Sequence, residues 1–156
     1  MIKIISWNVN GIRAVLKKGF LEWFGKESPD VLCVQEIKAQ ESQIPFEILR
    51  FLDYEAHWNP AVRAGYSGVA TFSRVKPLAV KRGLEVSKFD LEGRVLETEF
   101  KDFTLLNIYF PNGGMILVLI PFALNFFIIS VTDAAFVCSR SATALVVTVP
   151  PSSCKW

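Results

Sequence analysis

The sequence predicts an α/β fold of the layered, sheet-rich kind. Two short strand-like runs joined by one helical stretch open the chain, and each of these strands ends abruptly in polar residues. Beyond residue 54, strand-like runs outnumber helical ones. Ile2 to Trp7 is the first β-prone run, bounded by the turn Asn8-Val9-Asn10-Gly11. From Ile12 the apolar residues fall at 12, 15, 16, 20, 23 and 24, the spacing of one helix face, with Arg13, Lys17, Lys18, Glu22 and Lys26 opposite. Gly19 inside that pattern costs about 1 kcal/mol relative to Ala, so a break or bend is expected there. Ser28-Pro29-Asp30 closes the helix, and Val31 to Gln35 is a second strand, apolar enough to be covered on both faces. Parallel pairing of the two strands would make Asn8 and Glu36 neighbours in space.

Ser42 to Leu52 fits a short second helix with Pro45 in its first turn. Strand-like runs follow at Tyr54–Trp58 and Gly68–Ser73. Two more, Arg94–Phe100 and Phe103–Tyr109, are joined by Lys101-Asp102 as a two-residue hairpin. In the last strand Phe103, Leu105, Asn107 and Tyr109 share one face, and Thr104, Leu106, Ile108 and Phe110 the other.

A length of 156 residues allows one domain. The net charge of +2 gives no overall basic field, so any nucleic-acid site must be local. Cys33, Cys138 and Cys154 are too scattered for a disulfide framework, and no secretory signal opens the chain. A reduced, cytoplasmic protein is therefore expected. Cys33 lies within an apolar strand and reads as a small buried hydrophobe.

Four strand ends carry candidate chemistry: Asn8, Glu36, the loop start Gly65-Tyr66-Ser67-Gly68, and Tyr109 in Tyr-Phe-Pro-Asn-Gly. Asn8 and Asn10 have short amides able to donate and accept, suited to orienting a phosphate oxygen, or they are turn residues only. Glu36 is a carboxylate ending an apolar strand, expensive to bury unless it meets a cation. A hard divalent ion is commonly held by one or two carboxylates with waters and phosphate. The plain alternative is a surface pair with Lys38 or Arg13. Tyr109 precedes Pro111-Asn112-Gly113 and suits a phosphate contact or a satisfied core phenol. His57 is the only histidine and reads as a surface or packing residue.

Five motifs stand in order: Trp7-Asn8-Val9-Asn10-Gly11-Ile12-Arg13-Ala14, Leu32-Cys33-Val34-Gln35-Glu36-Ile37-Lys38-Ala39, Gly65-Tyr66-Ser67-Gly68-Val69-Ala70, Glu92-Gly93-Arg94-Val95 and Tyr109-Phe110-Pro111-Asn112-Gly113-Gly114. Over residues 1–114 the chain resembles the exonuclease III family of DNA-repair nucleases, in the endonuclease/exonuclease/phosphatase superfamily. The resemblance implies a four-layer α/β sandwich, two mixed sheets face to face with helices outside, of which this chain holds the N-terminal half. It implies Mg²⁺-dependent phosphodiester hydrolysis, with Mn²⁺ as a substitute, on double-stranded DNA at abasic sites and 3′ ends. By the same resemblance Glu36 and Asn8 form the metal site, Glu36 as the ligand carboxylate with Asn8 beside it, and Asn10 is a nearby polar residue. Tyr109 holds and polarises the scissile phosphate, with Asn8 also in the catalytic set. Arg13, Ala14, Lys18, Gly65, Tyr66 and Asn112 match contacts to the DNA backbone. No obligate protein partner is implied.

After Gly114 the pattern changes. The family's Gly-Asp-x-Asn and closing Ser-Asp-His are missing from residues 115–156, whose charged groups are Asp133, Arg140 and Lys155 alone. Three readings compete for this apolar stretch. A membrane anchor over 115–132 has near the right length but contains Pro121 and Asn125 and lacks flanking basic residues. A rebuilt domain would need a periodic polar face. A frameshift near residue 115 accounts for the composition change, the lost motifs and the early end together, and is favoured. On that reading the C-terminal part is missing or replaced, activity is doubtful, and uncovered sheet faces make the product poorly soluble.

Overall fold

A computed structural model describes residues 2–49, 51–111, 114–121, 127–131, 136–138 and 145–148. The first sheet is mixed. Strand β1 (Lys3–Asn8) runs parallel to β2 (Val31–Gln35), with Ser6 opposite Cys33 and Asn8 opposite Gln35. The antiparallel strands β3 (Glu55–Asn59) and β4 (Val69–Ser73) extend it on one side. The second sheet begins with β5 (Ala79–Arg82), β6 (Val95–Glu99) and β7 (Phe103–Phe110). It continues into β8 (Gly114–Pro121) and β9 (Phe127–Val131), every neighbouring pair being antiparallel. Two further strands, β10 (Phe136–Cys138) and β11 (Leu145–Thr148), complete the first sheet in the order β10-β11-β1-β2-β4-β3. The second sheet is thus antiparallel through its described strands, where two mixed sheets were expected. The Lys101-Asp102 hairpin forms as read, with the Phe100 N–H donating to the Phe103 carbonyl at 2.8 Å.

The first helical stretch is two helices, α1 (Ile12–Leu16) and α2 (Phe20–Glu27). Gly19 separates them at φ +85°, a left-handed conformation that glycine adopts without a Cβ penalty. The segment read as one helix over Ser42–Leu52 is instead a 3₁₀ turn (Glu41–Gln43) followed by the single-turn helix α3 (Phe46–Leu49). Pro45 falls between them, where it has no N–H to carry a helix through. Strand β5 and helix α4 (Ser87–Asp90) were not foreseen. Ala79-Val80-Lys81-Arg82 is an edge strand with mostly exposed residues, so it shows no buried-face alternation to read.

Two cores result. One lies outside the first sheet, where Ile5, Leu32, Val34 and Phe72 pack against Ile12, Val15, Phe20, Phe24 and Ile48 of the helices. Its centre is aromatic, with the Phe24 ring 4.4 Å from Tyr54 and 5.5 Å from Phe72. The second core lies between the sheets and is unusually polar. Buried Ser6, Cys33, Gln35 and Thr71 face buried Leu96, Thr98, Leu105 and Asn107. Cys33 is a fully buried free thiol, as expected. His57 is half-buried on β3 beside Glu55, and burial holds it below its ordinary range, which fits packing. In place of a membrane-spanning helix over 115–132, the described residues there form β8 and β9. Among the described residues no helix is long and apolar enough to cross a membrane.

Candidate phosphate and cation site

Both of the first strands end at the same edge of the sheet, and the chain there is bent rather than extended. By strand alternation Glu36 should share a face with Val34, toward the helices. It does not. Glu36 adopts φ +52°, and this left-handed residue turns its carboxylate toward the groups that end β1 and β7. The Asn8 Nδ2 donates to Glu36 Oε1 at 2.9 Å, and the Asn10 N–H donates to Asn8 Oδ1 at 3.0 Å. The Tyr109 phenol, from the second sheet, faces the Glu36 carboxylate and interacts with it. Lys38 Nζ lies 2.8 Å from Glu36 Oε2 and donates to Asn10 Oδ1 as well. The pairing with Lys38 weighed as a surface alternative therefore occurs within the cluster itself.

Four residues without the freedom of glycine are left-handed here: Asn10 at +46°, Glu36 at +52°, Lys38 at +50° and, in the facing loop, Ser67 at +46°. Such conformations cost of order 1 kcal/mol or more each and persist when their surroundings over-determine them. The surroundings are hydrogen bonds. Gly11 N–H donates to Glu36 O at 2.7 Å and Ile12 N–H to Ile37 O at 3.0 Å. Ile37 N–H donates to Gly68 O at 3.1 Å and Lys38 N–H to Ser67 O at 2.9 Å. The Gly65-Tyr66-Ser67-Gly68 loop is thereby zipped to the glutamate turn. Gly68 is required, because a Cβ there would lie 2.6 Å from the Ile37 side chain.

Burial pushes the Glu36 carboxyl up, but its interactions with Asn8, Lys38 and Tyr109 outweigh it and leave it below the ordinary carboxylate range. The Tyr109 phenol is pushed up to about 12, first by burial and then by its interaction with the Glu36 carboxylate. Glu36 is thus an anion and Tyr109 a neutral hydrogen-bond donor at neutral pH.

Two basic features flank this cluster. A groove of about 510 Å³ is lined by Gly11, Arg13, Ala14, Lys17, Lys18 and Lys38 beside Ile37. It gathers three of the residues assigned to DNA contact and adds Lys17 and Lys38. On the other side Arg94 Nη2 donates to the Tyr66 hydroxyl at 3.0 Å, and its guanidinium lies 5.2 Å from the Tyr109 ring centroid. Arg63 stands 5.3 Å from the Tyr66 ring. Tyr66 and Tyr109 are therefore linked through Arg94, which received no role from the sequence although Glu92-Gly93-Arg94 was a marked motif. A cation immediately before a strand, between tyrosine-bearing segments, was the available signal. Gly65 sits in the open at φ +70°. Asn112 lies outside the described residues.

The oxygens open to a hard cation are engaged within the cluster. The Lys38 ammonium sits on Glu36 Oε2 and Asn10 Oδ1, and Asn8 Oδ1 takes the Asn10 N–H, so a divalent ion completed by waters and phosphate would replace Lys38 at the carboxylate. Among the described residues no group of three or more His, Cys, Asp or Glu forms a self-sufficient metal cage.

Comparison with known proteins agrees with this architecture. The model of the "Endonuclease/Exonuclease/phosphatase family" matches residues 5–152. The chain is 45% identical over 113 residues to an exodeoxyribonuclease of Bacillus subtilis (strain 168), covering 72% of this chain and 44% of that protein. It is 44% identical over 119 residues to the DNA repair nuclease APEX1 of Danio rerio, covering 75% of this chain and 38% of that one. Among solved structures, an AP endonuclease from Archaeoglobus fulgidus superposes with a TM-score of 0.63 at 31% identity, over 73% of this chain and 43% of that one. The chain thus spans less than half the length of these relatives.

Proposed function

The chain belongs to the endonuclease/exonuclease/phosphatase family, and from that premise we propose that it carries one wall of a DNA phosphodiester-hydrolysis site. In this reading its substrate class is double-stranded DNA with abasic sites or 3′ ends, as the family resemblance implies. The names of its relatives, an exodeoxyribonuclease, a DNA repair nuclease and an AP endonuclease, support DNA as the substrate. The observation that carries this reading is the convergence of the Asn8 amide and the Tyr109 phenol, from two different sheets, on the Glu36 carboxylate.

In this reading Glu36 would hold Mg²⁺, or Mn²⁺ in its place, with Asn8 beside it fixing the carboxylate, Asn10 close by, and Lys38 giving way to the ion. The ion supplies positive charge against the developing oxyanion when bound. Tyr109, held protonated, donates to a non-bridging phosphate oxygen. Arg94 keeps its ring in place. Arg13, Lys17 and Lys18 grip the DNA backbone in the groove, where small Gly11 and Ala14 leave it room; such contacts position without reading bases. Gly65 and Tyr66 bear on the backbone from the opposite side, and Asn112 belongs to the same set of contacts.

We read residues 115–156 as the product of a frameshift near residue 115, on a protein of the cytoplasm. Support comes from the loss of charge and of the family's acidic motifs. In addition, β11 lies parallel to β1 with Thr148 opposite Ile5, so that β11 runs toward the Asn8 edge without the family's Gly-Asp-x-Asn. Translating the nucleotide sequence beyond Gly114 in the other two frames should reveal Gly-Asp-x-Asn and Ser-Asp-His, and finding neither would overturn the frameshift.

The functional test is titration of a labelled duplex bearing an abasic-site analogue into the purified chain. Binding should weaken steeply with salt. It should also tighten with Mg²⁺ in the wild type but not in Glu36→Gln, with little turnover in either. Absence of binding would sink the site assignment, and multiple turnover would sink the view that half the catalytic apparatus is gone.

A further inference from the structure

Between the sheets, directly beneath the site, lies a group of polar side chains that the chemistry above does not use. Gln35 Nε2 donates to Asn107 Oδ1 at 2.7 Å and to Ser6 Oγ at 3.0 Å. Asn107 Nδ2 donates across the same gap to the Ala70 carbonyl at 2.9 Å and Thr71 Oγ1 at 3.3 Å. All of these side chains are fully buried. Asn107 alone therefore ties β7 of the second sheet to both β2 and β4 of the first.

The placement follows the site residue by residue. Ser6 precedes Asn8 by one pleat on β1, Gln35 ends β2 immediately before Glu36, and Asn107 precedes Tyr109 by one pleat on β7. We propose that the Gln35–Asn107 pair positions the site: it fixes the offset between the sheets at which the Tyr109 hydroxyl meets the Glu36 carboxylate. The inference rests on the reading of Glu36 and Tyr109 as working residues, but the contact it explains is measurable without DNA or metal.

Stability alone is a poor account of these amides. Apolar packing between sheets is non-directional and tolerates small slides, whereas amide pairs at fixed lengths select one offset. Gln35 Oε1 is buried without a hydrogen-bond partner, a cost that an apolar side chain would not carry. Replacing both partners of a buried hydrogen bond by apolar groups of similar shape is often neutral or stabilising. Gln35→Met/Asn107→Leu removes both amides at once but also takes a partner from the Ser6 and Thr71 hydroxyls and the Ala70 carbonyl, so the melting temperature should fall modestly while the sheets lose their lock.

The test uses the full chain labelled with 3-fluorotyrosine, its three tyrosine signals assigned by Tyr109→Phe and Tyr66→Phe. In an otherwise wild-type chain, Glu36→Gln should move the Tyr109 fluorine resonance. In the Gln35→Met/Asn107→Leu background the same substitution should leave it unmoved, although the protein remains folded. A Tyr109 response of wild-type size without the amides would overturn the proposal. So would no response to Glu36→Gln in the presence of the amides. Should the double variant not fold, Gln35→Met alone, which leaves the Asn107 bonds to Ala70 and Thr71, is read in the same way. A weakened response supports the pair as a positioning device, and an unchanged one refutes it. Failure of DNA or metal binding would count against the functional reading and leave this result standing.

Discussion

Replacing Gly93 by Ala should be among the most damaging small changes available to this chain. A Cβ at that position would lie 2.4 Å from the Asn59 carbonyl oxygen, 2.6 Å from the Pro60 carbonyl carbon and 2.7 Å from the Ala61 nitrogen. All three are backbone atoms, so no flexible side chain can swing aside. Two costs combine. Ala in a left-handed conformation, here φ +60°, costs roughly 1–2 kcal/mol. Forced displacement in a packed region adds roughly 1–3 kcal/mol. The total, about 2–5 kcal/mol, is a large share of the roughly 5–15 kcal/mol that keeps a domain folded. Displacement of the Asn59–Ala61 backbone also strains the buried bond from Asn59 Nδ2 to the Val95 carbonyl at 2.7 Å. Arg94, sitting between them, would lose its hold on Tyr66 and Tyr109. Gly65→Ala is the control, since Gly65 is also left-handed at φ +70° but has nothing within 4 Å of the added carbon. Urea denaturation of both variants separates the steric part from the conformational part. Equal losses in the two, within about 0.5 kcal/mol, would refute the argument that backbone contact makes the Glu92-Gly93-Arg94 motif need its glycine.

Two other expectations follow from the cores. Burial pushes the Cys33 thiol from 9.0 up to about 12, only partly opposed by its hydrogen bond with Thr71. A folded-state value above the unfolded one means stability intact below pH 9 and lost as pH rises toward 12, by about 4 kcal/mol in all; Cys33→Ala should flatten the alkaline slope of stability, and an unchanged slope from pH 9 to 11 would count against it. Phe24→Ala, which removes a ring within 4.4 Å of Tyr54 and 5.1 Å of Phe51, should cost about 3–5 kcal/mol in a denaturant titration. A loss under about 1 kcal/mol would mean that the helix layer repacks without it.

What could be read from the sequence was local or periodic. Val31–Gln35 announced itself by apolar continuity, Gly19 marked the true break between helices, and the neighbourhood of Asn8 and Glu36 followed from one β-α-β unit. What could not be read depended on conformation or on distant pairing. Strand alternation points Glu36 the wrong way, and only its left-handed backbone brings it to Tyr109. Gln35 reads as one more residue of an apolar strand until Asn107, far along the chain, is set against it. Arg94 gains meaning from two rings that lie on separate loops and strands. β5 was missed because an exposed edge has no buried side to leave a pattern.

The zipper between the Glu36 turn and the Gly65–Gly68 loop constrains how this surface can be varied. Ile37 and Lys38 donate to Gly68 and Ser67 at 3.1 and 2.9 Å, within the narrow range a hydrogen bond tolerates. One inserted residue in either segment would shift the pairing by about 3.3 Å and unmake it. Substitution is open only where Glu36, Tyr66 and Gly68 keep their places, and neither segment can change length alone. Diversity here is confined to substitution, and a loop graft from a related scaffold succeeds only when both partners are exchanged together.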